Sequence, residues 1–397
     1  MDVTNKTRFL FSLIQFLNTG FFAFILIFFP IYAEYISFNA EEIGIFNICS
    51  VLATMLASPM ILHFVNQTFQ PSLLLKICSF LTPVAYLGLL SNGSFLWFSF
   101  FWTSFVGLRI AANTLVDVQL IKLSARGILR FELVRVWGSI GFIVLGTGFG
   151  ILFDFLDTSI AVWLILFFVI FQSVMSYKLS YLLEPFDSMS RSITRRDILK
   201  LFFTKRILGL FLSIGFIWLS HAPFYVYLSL YLQAIGWSSS QISLAWNMGV
   251  LAEIVLFLCF RRLEIKSSLT SILTISMIIT IARWLIIGYS DNFYLILLSQ
   301  TLHAFSFGAC YLVSIRLSYE WFPEGYKEKS QGLLTLFSVG LGSLAGRFLV
   351  TFLAKYYEGY ATFSSMFYVA ACIACIAVLL SILCIEKTSE PATDTMK

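Results

Sequence analysis

The sequence predicts an all-α integral membrane protein whose twelve transmembrane helices form two six-helix bundles. Three observations predict it: the composition, the recurrence of long apolar runs, and one basic stretch near the middle of the chain. Of 397 residues, 59% are hydrophobic and only 12% charged, and 43 are phenylalanine. A water-soluble domain must turn a polar exterior outward, and this composition leaves too little to make one. Apolar runs of about 20 residues, enough to cross a roughly 30 Å hydrocarbon core as helices, recur from end to end.

The runs place helices over 9–36, 40–62, 72–91, 94–123, 129–153, 159–183, 206–234, 239–260, 268–289, 293–320, 328–356 and 362–385. The first is too long for a signal-peptide core and lacks a small-residue cleavage site, so it reads as a retained span. The longest polar stretch, "EPFDSMSRSITRRDILKLFFTKR" (184–206), divides the spans six and six. The expected organisation is therefore an N-terminal bundle (1–184), a cytoplasmic linker (185–205), a C-terminal bundle (206–385) and a short cytoplasmic tail (386–397).

Charge placement gives the orientation. Of the 26 Lys and Arg, Arg109, Arg283, Arg316 and Arg347 fall within spans, and Lys355 falls in an outer loop. The others lie on the side of the N-terminus, as the positive-inside rule requires of the cytoplasmic face. Both termini are expected to be cytoplasmic, in a multi-pass protein of the cell (inner or cytoplasmic) membrane. The net charge of +5 is then a matter of topology and implies no nucleic acid. Cys372 and Cys375 form a C-x-x-C inside the last apolar run without a second pair. They read as buried small residues, not as a redox or zinc site. No cofactor or metal is expected.

The halves also match each other. An offset of 199 residues lays "YAEYISFNAEEI" (32–43) on "YLQAIGWSSSQI" (231–242), and matches Ser139 with Ser338 and Gly141 with Gly340. Parallel six-helix repeats related by an axis along the membrane normal enclose a solute site near the midplane, which predicts a rocking-bundle transporter.

These features resemble the major facilitator superfamily. "FELVRVWGSIGFI" (131–143) is similar to the fifth-helix signature of its phenylpropionate permease branch, a relative of the lactose permease group. "FFPIY" (28–32), "GVLAEIVLF" (249–257), "ARW" (282–284), "QTLHAFSFG" (300–308) and "SQGLLTLFSVGLGSLAG" (330–346) extend the likeness over most of the chain. The resemblance implies the major facilitator fold and proton-coupled import of a small organic solute by alternating access. The loop "HFVNQTFQP" (63–71) departs from the superfamily pattern, having neither the Asp nor the basic cluster found there in many members.

Ionisable groups inside the bilayer cost about 2.5–3.5 kcal/mol each on insertion scales, so each needs a reason. Asp117 and Arg135 stand nine residues either side of Arg126, where the hairpin between helices 4 and 5 turns, so they lie at equal depth and can pair. In the lactose permease relatives an acid and an arginine so spaced bind substrate; a structural salt bridge is the alternative. Arg109, Asn113 and Asp117 make an i, i+4, i+8 stripe that is expected to line the cavity. Gly138 and Gly141 suit close helix approach, while Trp137 and Phe142 are candidates to stack on a ring of the solute.

In the second half, His221, Glu253, Arg283 and His303 lie on helices 7 to 10. A buried carboxylate beside an arginine and imidazoles can load and release a proton near neutral pH, so these four are the candidate proton-coupling residues. Glu253 and Arg283 neutralising each other, and a structural His221 beside the kinking Pro223, are the plainer alternatives. Arg316 and Arg347, near helix ends, are expected to snorkel. In the lactose permease relatives an acid follows the tenth-helix histidine by three residues; here that position is Ser306.

The leading reading is a proton-coupled symporter of a small organic solute. Arg109 and Arg283 favour an anionic group, consistent with an aromatic carboxylate. A sugar, nucleoside or peptidoglycan-fragment importer, or drug efflux, is the transport alternative. A polytopic enzyme is disfavoured, since three scattered histidines supply no nucleophile–base or metal cluster, and no P-loop is present for a primary pump. The expected partners are a small-molecule substrate, protons and the lipid bilayer, with the protein a monomer.

Overall fold

The computed structural model describes residues 3–67, 69–91, 93–184, 204–323, 326–356 and 360–385. Among them, twelve helices are long and apolar enough to cross a membrane. They are α1 (Asn5–Tyr35), α2 (Ala40–Val65), α3 (Pro71–Leu89), α4 (Phe95–Ala125), α5 (Phe131–Phe155), α6 (Thr158–Leu182), α7 (Lys205–Ala234), α8 (Ser239–Lys266), α9 (Leu269–Tyr289), α10 (Phe293–Trp321), α11 (Ser330–Ala354) and α12 (Ala361–Ile385). Every span expected from hydropathy is present, and no strand occurs among the described residues. The linker expected over 185–205 lies outside the described residues save its last two, and the tail 386–397 lies wholly outside them.

By internal contacts the chain divides into two compact units, Met1–Ser190 with Gly236–Asn247, and Arg191–Ile235 with Met248–Lys397. The first turns of α8 are therefore counted with unit 1. There the Asp154 carboxylate accepts from the amides of Ser239 (2.7 Å) and Ser240 (3.2 Å). Those amides have no acceptor within their own helix, so the acid satisfies them and meets the positive end of the helix dipole.

Local chemistry sets several helix starts. Ser94, Asp157, Ser268 and Asn292 each accept a backbone N–H in the first turn of α4, α6, α9 and α10. The first hairpin of each half is built from the same parts. Asn39 and Glu42 form a reciprocal capping box at the start of α2, and Ser238 and Gln241 form another at the start of α8. The turn before each box holds a residue in the left-handed region, Ser37 (φ 73°) and Gly236 (φ 89°). Tyr32 donates its hydroxyl to the Leu89 carbonyl at the end of α3, and Tyr231 donates to Ile287 at the end of α9. The tyrosines, the left-handed residues and both members of each capping box differ by the 199 residues seen in the sequence, and the tyrosines' acceptors by 198.

Lipid is as apolar as leucine, so close packing and polar contacts, not a hydrophobic drive, bring spans together. Glycines supply the packing. A Cβ on Gly141 of α5 would lie 2.1 Å from the Phe16 carbonyl oxygen of α1, and one on Gly138 would lie 2.8 Å from Thr19 Oγ1. In unit 2 the matching approach joins α11 to α7, where a Cβ on Gly342 would lie 2.4 Å from the Gly215 carbonyl oxygen and one on Gly346 2.5 Å from that of Leu219. The Gly342 contact falls two positions beyond the offset, at the end of a π-helical stretch, Leu336–Gly342. Other wide turns are Phe24–Phe28 in α1 and Ala304–Ala309 in α10. α7 breaks at His221, between Lys205–Ser220 and Ala222–Ala234, because Pro223 has no N–H to continue the ladder.

Candidate functional site

Unit 1 carries a polar cluster in the middle of its spans. Arg109 is buried at 8% exposure. It donates through Nη1 to Gln172 of α6 (2.7 Å) and through Nη2 to the Asn18 carbonyl of α1 (3.1 Å), with the Phe21 ring 4.3 Å from the guanidinium carbon. Gln172 donates to the Asn18 side chain, and Asn18 donates to Asn113 (3.0 Å). Asn113 then donates to Asp117 (3.0 Å), which also accepts from Gln15 (2.6 Å). The stripe Arg109, Asn113 and Asp117 does share one face of α4, as its spacing requires, and that face is bonded to α1 and α6. Asp117 and Arg135 meet, but loosely: Arg135 Nη1 lies 3.7 Å from Asp117 Oδ2, with the arginine side chain 56% exposed.

Unit 2 holds the counterpart. Arg283 of α9 is fully buried. Its Nη1 donates to His303 Nδ1 (3.0 Å) and Ser306 Oγ (3.1 Å), and its Nη2 to Gln300 Oε1 (2.9 Å), all on α10. The Phe224 and Trp284 rings lie 4.3 and 4.7 Å from its guanidinium carbon and add cation–π attraction. No carboxylate bridges Arg283 among the described residues; the ion pairs there join Glu184, Asp117 and Glu264 to other cations. Since Nδ1 accepts from Arg283, neutral His303 carries its hydrogen on Nε2. The imidazole stacks on Phe307 at 5.1 Å and lies against α8, where a Cβ on Gly249 would come 3.2 Å from His303 Cδ2. One turn further along α8, Glu253 packs on α10 so closely that a Cβ on Gly308 would lie 3.0 Å from its Cγ. Glu253 makes no ion pair among the described residues.

His221, at the break in α7, is buried and bonds the Ile217 carbonyl through Nδ1 (2.8 Å), while its Nε2 has no partner. A cavity of about 10 Å³ beside it, lined by Ser306, Phe307, Cys310, Tyr311 and Trp218, has room for one water. His221 touches neither Arg283 nor His303 by a direct hydrogen bond.

The structure thus brings Arg109, Asn113, Asp117 and Arg135 into one cluster, and Arg283 and His303 into another. Trp137 is 45% exposed and Phe142 is buried at 6%, and neither joins the polar cluster. Two expectations need correcting. Arg347 does not snorkel: it is buried at 9%, because the glycine contacts draw α11 onto α7. Cys372 and Cys375 are exposed on α12 instead of buried, and both are free thiols. Arg316 pairs with Glu264 of α8 near the helix ends. Sequence reasoning missed Gln15, Asn18 and Gln172. The available signal was the i, i+3 spacing of Gln15 and Asn18 in an otherwise apolar run. Among the described residues, no three His, Cys, Asp or Glu side chains converge as metal ligands.

The family model described as the MFS_1 like family matches residues 10–365. The chain belongs to the MFS_1 like family. This family member is 23% identical over 304 residues to the probable 3-phenylpropionic acid transporter of Escherichia coli (strain K12), covering 75% of this chain and 79% of that one. Its fold is similar to that of the nucleoside transporter NupG, with a TM-score of 0.82 at 14% identity over 96% of this chain and 98% of the other. It is also similar to a bacterial homologue of the iron transporter ferroportin in its inward-facing state, with a TM-score of 0.74 at 16% identity over 96% of this chain and 99% of that one. The major facilitator fold expected from the sequence is the fold observed, and the protein is a multi-pass membrane protein of a secondary-transporter family.

Proposed function

We propose that this family member is a proton-coupled importer of a small aromatic carboxylate, working by alternating access, as a monomer with both termini cytoplasmic and no enzymatic activity. The observation that carries the reading is Arg283, a buried guanidinium held by His303, Ser306 and Gln300 with no carboxylate against it among the described residues. An uncompensated cation in the membrane is costly, and a solute that brings its own negative charge relieves the cost. The name of the Escherichia coli relative, a probable 3-phenylpropionic acid transporter, supports an aromatic carboxylate as that solute.

Proton coupling falls to Glu253, Arg283 and His303. Arg283 fixes the imidazole through Nδ1, which leaves Nε2–H to donate to solute or to a carboxylate. Glu253, one turn along α8 from the glycine that abuts the imidazole, can take up and release a proton without breaking an ion pair. His221, with its Nδ1 committed to the backbone, serves to hold the break in α7. In unit 1, Asp117 and the exposed Arg135 face the solute, and Arg109 braces α1, α4 and α6.

The experiment is transport by His303→Ala in proteoliposomes, in two modes. Proton coupling predicts that uphill accumulation driven by a pH gradient is lost while equilibrium exchange of 3-phenylpropionate is largely kept. Loss of both modes together, through affinity, makes His303 a solute contact only. Wild-type behaviour in both modes removes the histidine from the mechanism.

A further inference from the structure

The proposed solute carries one carboxylate, and four arginines are candidates to receive it, Arg109 and Arg135 in unit 1 and Arg283 and Arg347 in unit 2. Arg109 has committed both terminal nitrogens to Gln172 and Asn18, and Arg283 has committed its own to three residues of α10. Arg135 is paired only loosely with Asp117 and is 56% exposed, so water screens its charge. Arg347 differs from all three. It is buried, yet only Nη1 is engaged, on the carbonyl and hydroxyl of Ser343 one turn earlier in its own helix. Its Nε–H is buried without a partner, and no described residue bonds its Nη2. Nε and Nη2 form one edge of the guanidinium, and two parallel N–H groups on one edge match the two oxygens of a carboxylate.

The surroundings of that edge are built for an aromatic acid. The break in α7 at His221 and the contacts of Gly342 and Gly346 with α7 bring Arg347 against the Tyr225 ring, 5.8 Å from its guanidinium carbon. Tyr225 stacks on Trp218 (6.5 Å, 17°), and Trp218 meets Phe307 and Tyr311 edge-on (5.4 and 6.1 Å). All four side chains are half-buried, and the Tyr225 ring is the one beside the guanidinium. Glu253 and Arg283 are the other charged groups whose field reaches the Tyr225 hydroxyl.

We propose that Arg347 is the carboxylate receptor of the site, gripping an aryl carboxylate through Nε and Nη2 while the ring of the solute lies on the wall formed by Tyr225, Trp218, Phe307 and Tyr311. This rests on the reading of the protein as a carrier of aromatic carboxylates and adds the residue that selects for the acid.

The test compares 3-phenylpropionate with its uncharged amide, binding each to the purified full chain in detergent and following tryptophan fluorescence at fixed ionic strength. Wild-type protein should prefer the acid at least tenfold. Arg347→Gln should abolish that preference while binding the amide as wild type does. Arg347→Lys, which keeps the charge but loses the forked edge, should fall between, and Arg316→Gln, at a cation paired with Glu264, should keep the preference. Arg347→Gln and Arg347→Lys that both discriminate as wild type does, or a preference that disappears with Arg316→Gln as well, overturn the assignment and leave the carboxylate reading standing. Wild-type protein that binds the acid no better than the amide overturns the carboxylate reading, and this assignment with it.

Discussion

The ion pair between Asp117 and Arg135 should behave asymmetrically when its two ends are altered. Asp117 accepts from Gln15 at 2.6 Å and Asn113 at 3.0 Å, and its carboxylate is only partly exposed. Hydrogen bonds to a charged group contribute about 1.5–3 kcal/mol each. Arg135, by contrast, is mostly exposed and 3.7 Å from its partner, a geometry in which an ion pair contributes at most about 1 kcal/mol. Asp117→Asn leaves one acceptor and turns an NH₂ group toward a donor, so it should lose about one charge-assisted bond, or roughly 2 kcal/mol. Arg135→Lys should change stability by less than about 1 kcal/mol. The assay is thermal unfolding of purified protein in detergent, with solute exchange in proteoliposomes measured alongside. Equal destabilisation by the two substitutions would show that the salt bridge itself pins the hairpin, contrary to the amide network described here. Wild-type exchange by the double variant Asp117→Asn/Arg135→Gln would remove the pair from solute handling.

Other outcomes follow from single features. Gly141→Ala places a methyl 2.1 Å from a backbone oxygen and should destabilise by about 1–3 kcal/mol, whereas Gly148→Ala, with nothing within 4 Å, should be neutral or stabilise by up to about 1 kcal/mol; thermal unfolding of both checks this. The Asp157 carboxyl, before the first turn of α6, is held below the ordinary carboxylate range by hydrogen bonds from the Ser159 hydroxyl and amide. Its contribution is present above the unfolded-state value and is lost as pH falls through the lowered one, so Asp157→Ala should reduce the acid sensitivity of unfolding below about pH 4. In a chain stripped of its native cysteines, a cysteine at 157 should label from outside the cell and one at 190 should not; the reverse pattern overturns the orientation.

Helix positions and the duplicated hairpin could be read from the chain because each depends on local information. Length and apolarity place a span wherever it packs. A constant offset of 199 residues carries the same tyrosine, the same left-handed turn and the same capping box into both halves. The meeting of Asp117 with Arg135 followed from helix rise alone. Direction was harder. Hydropathy does not say which face of an apolar helix meets lipid, so Cys372 and Cys375 were misplaced. Arg347 stands seven residues before the end of α11, where snorkelling is the ordinary outcome, and its burial depends on two glycines meeting carbonyls far away in sequence. Gln15, Asn18 and Gln172 are neutral, so nothing in the charge pattern marked them, although they take part in most of the hydrogen bonds of the polar cluster in unit 1.

The two guanidiniums around Tyr225 also bear on which ion this protein can couple. Among the described residues, the charged groups that act on Tyr225 are Arg283, Arg347 and one acid, Glu253, which leaves them with a surplus of one positive charge. A sodium ion about 6 Å from either guanidinium would meet a repulsion of about 3 kcal/mol at an effective dielectric constant of 20, and Glu253 can offset only one of the two. A proton brings the same unit of charge, but an O–H bond to Glu253 holds it, whereas sodium has only electrostatic attraction to oxygen atoms to set against that repulsion. Uptake should therefore be indifferent to replacing sodium with choline outside the membrane and should collapse when the pH gradient is dissipated. A requirement for sodium would mean that negative charge beyond Glu253 reaches this site during transport.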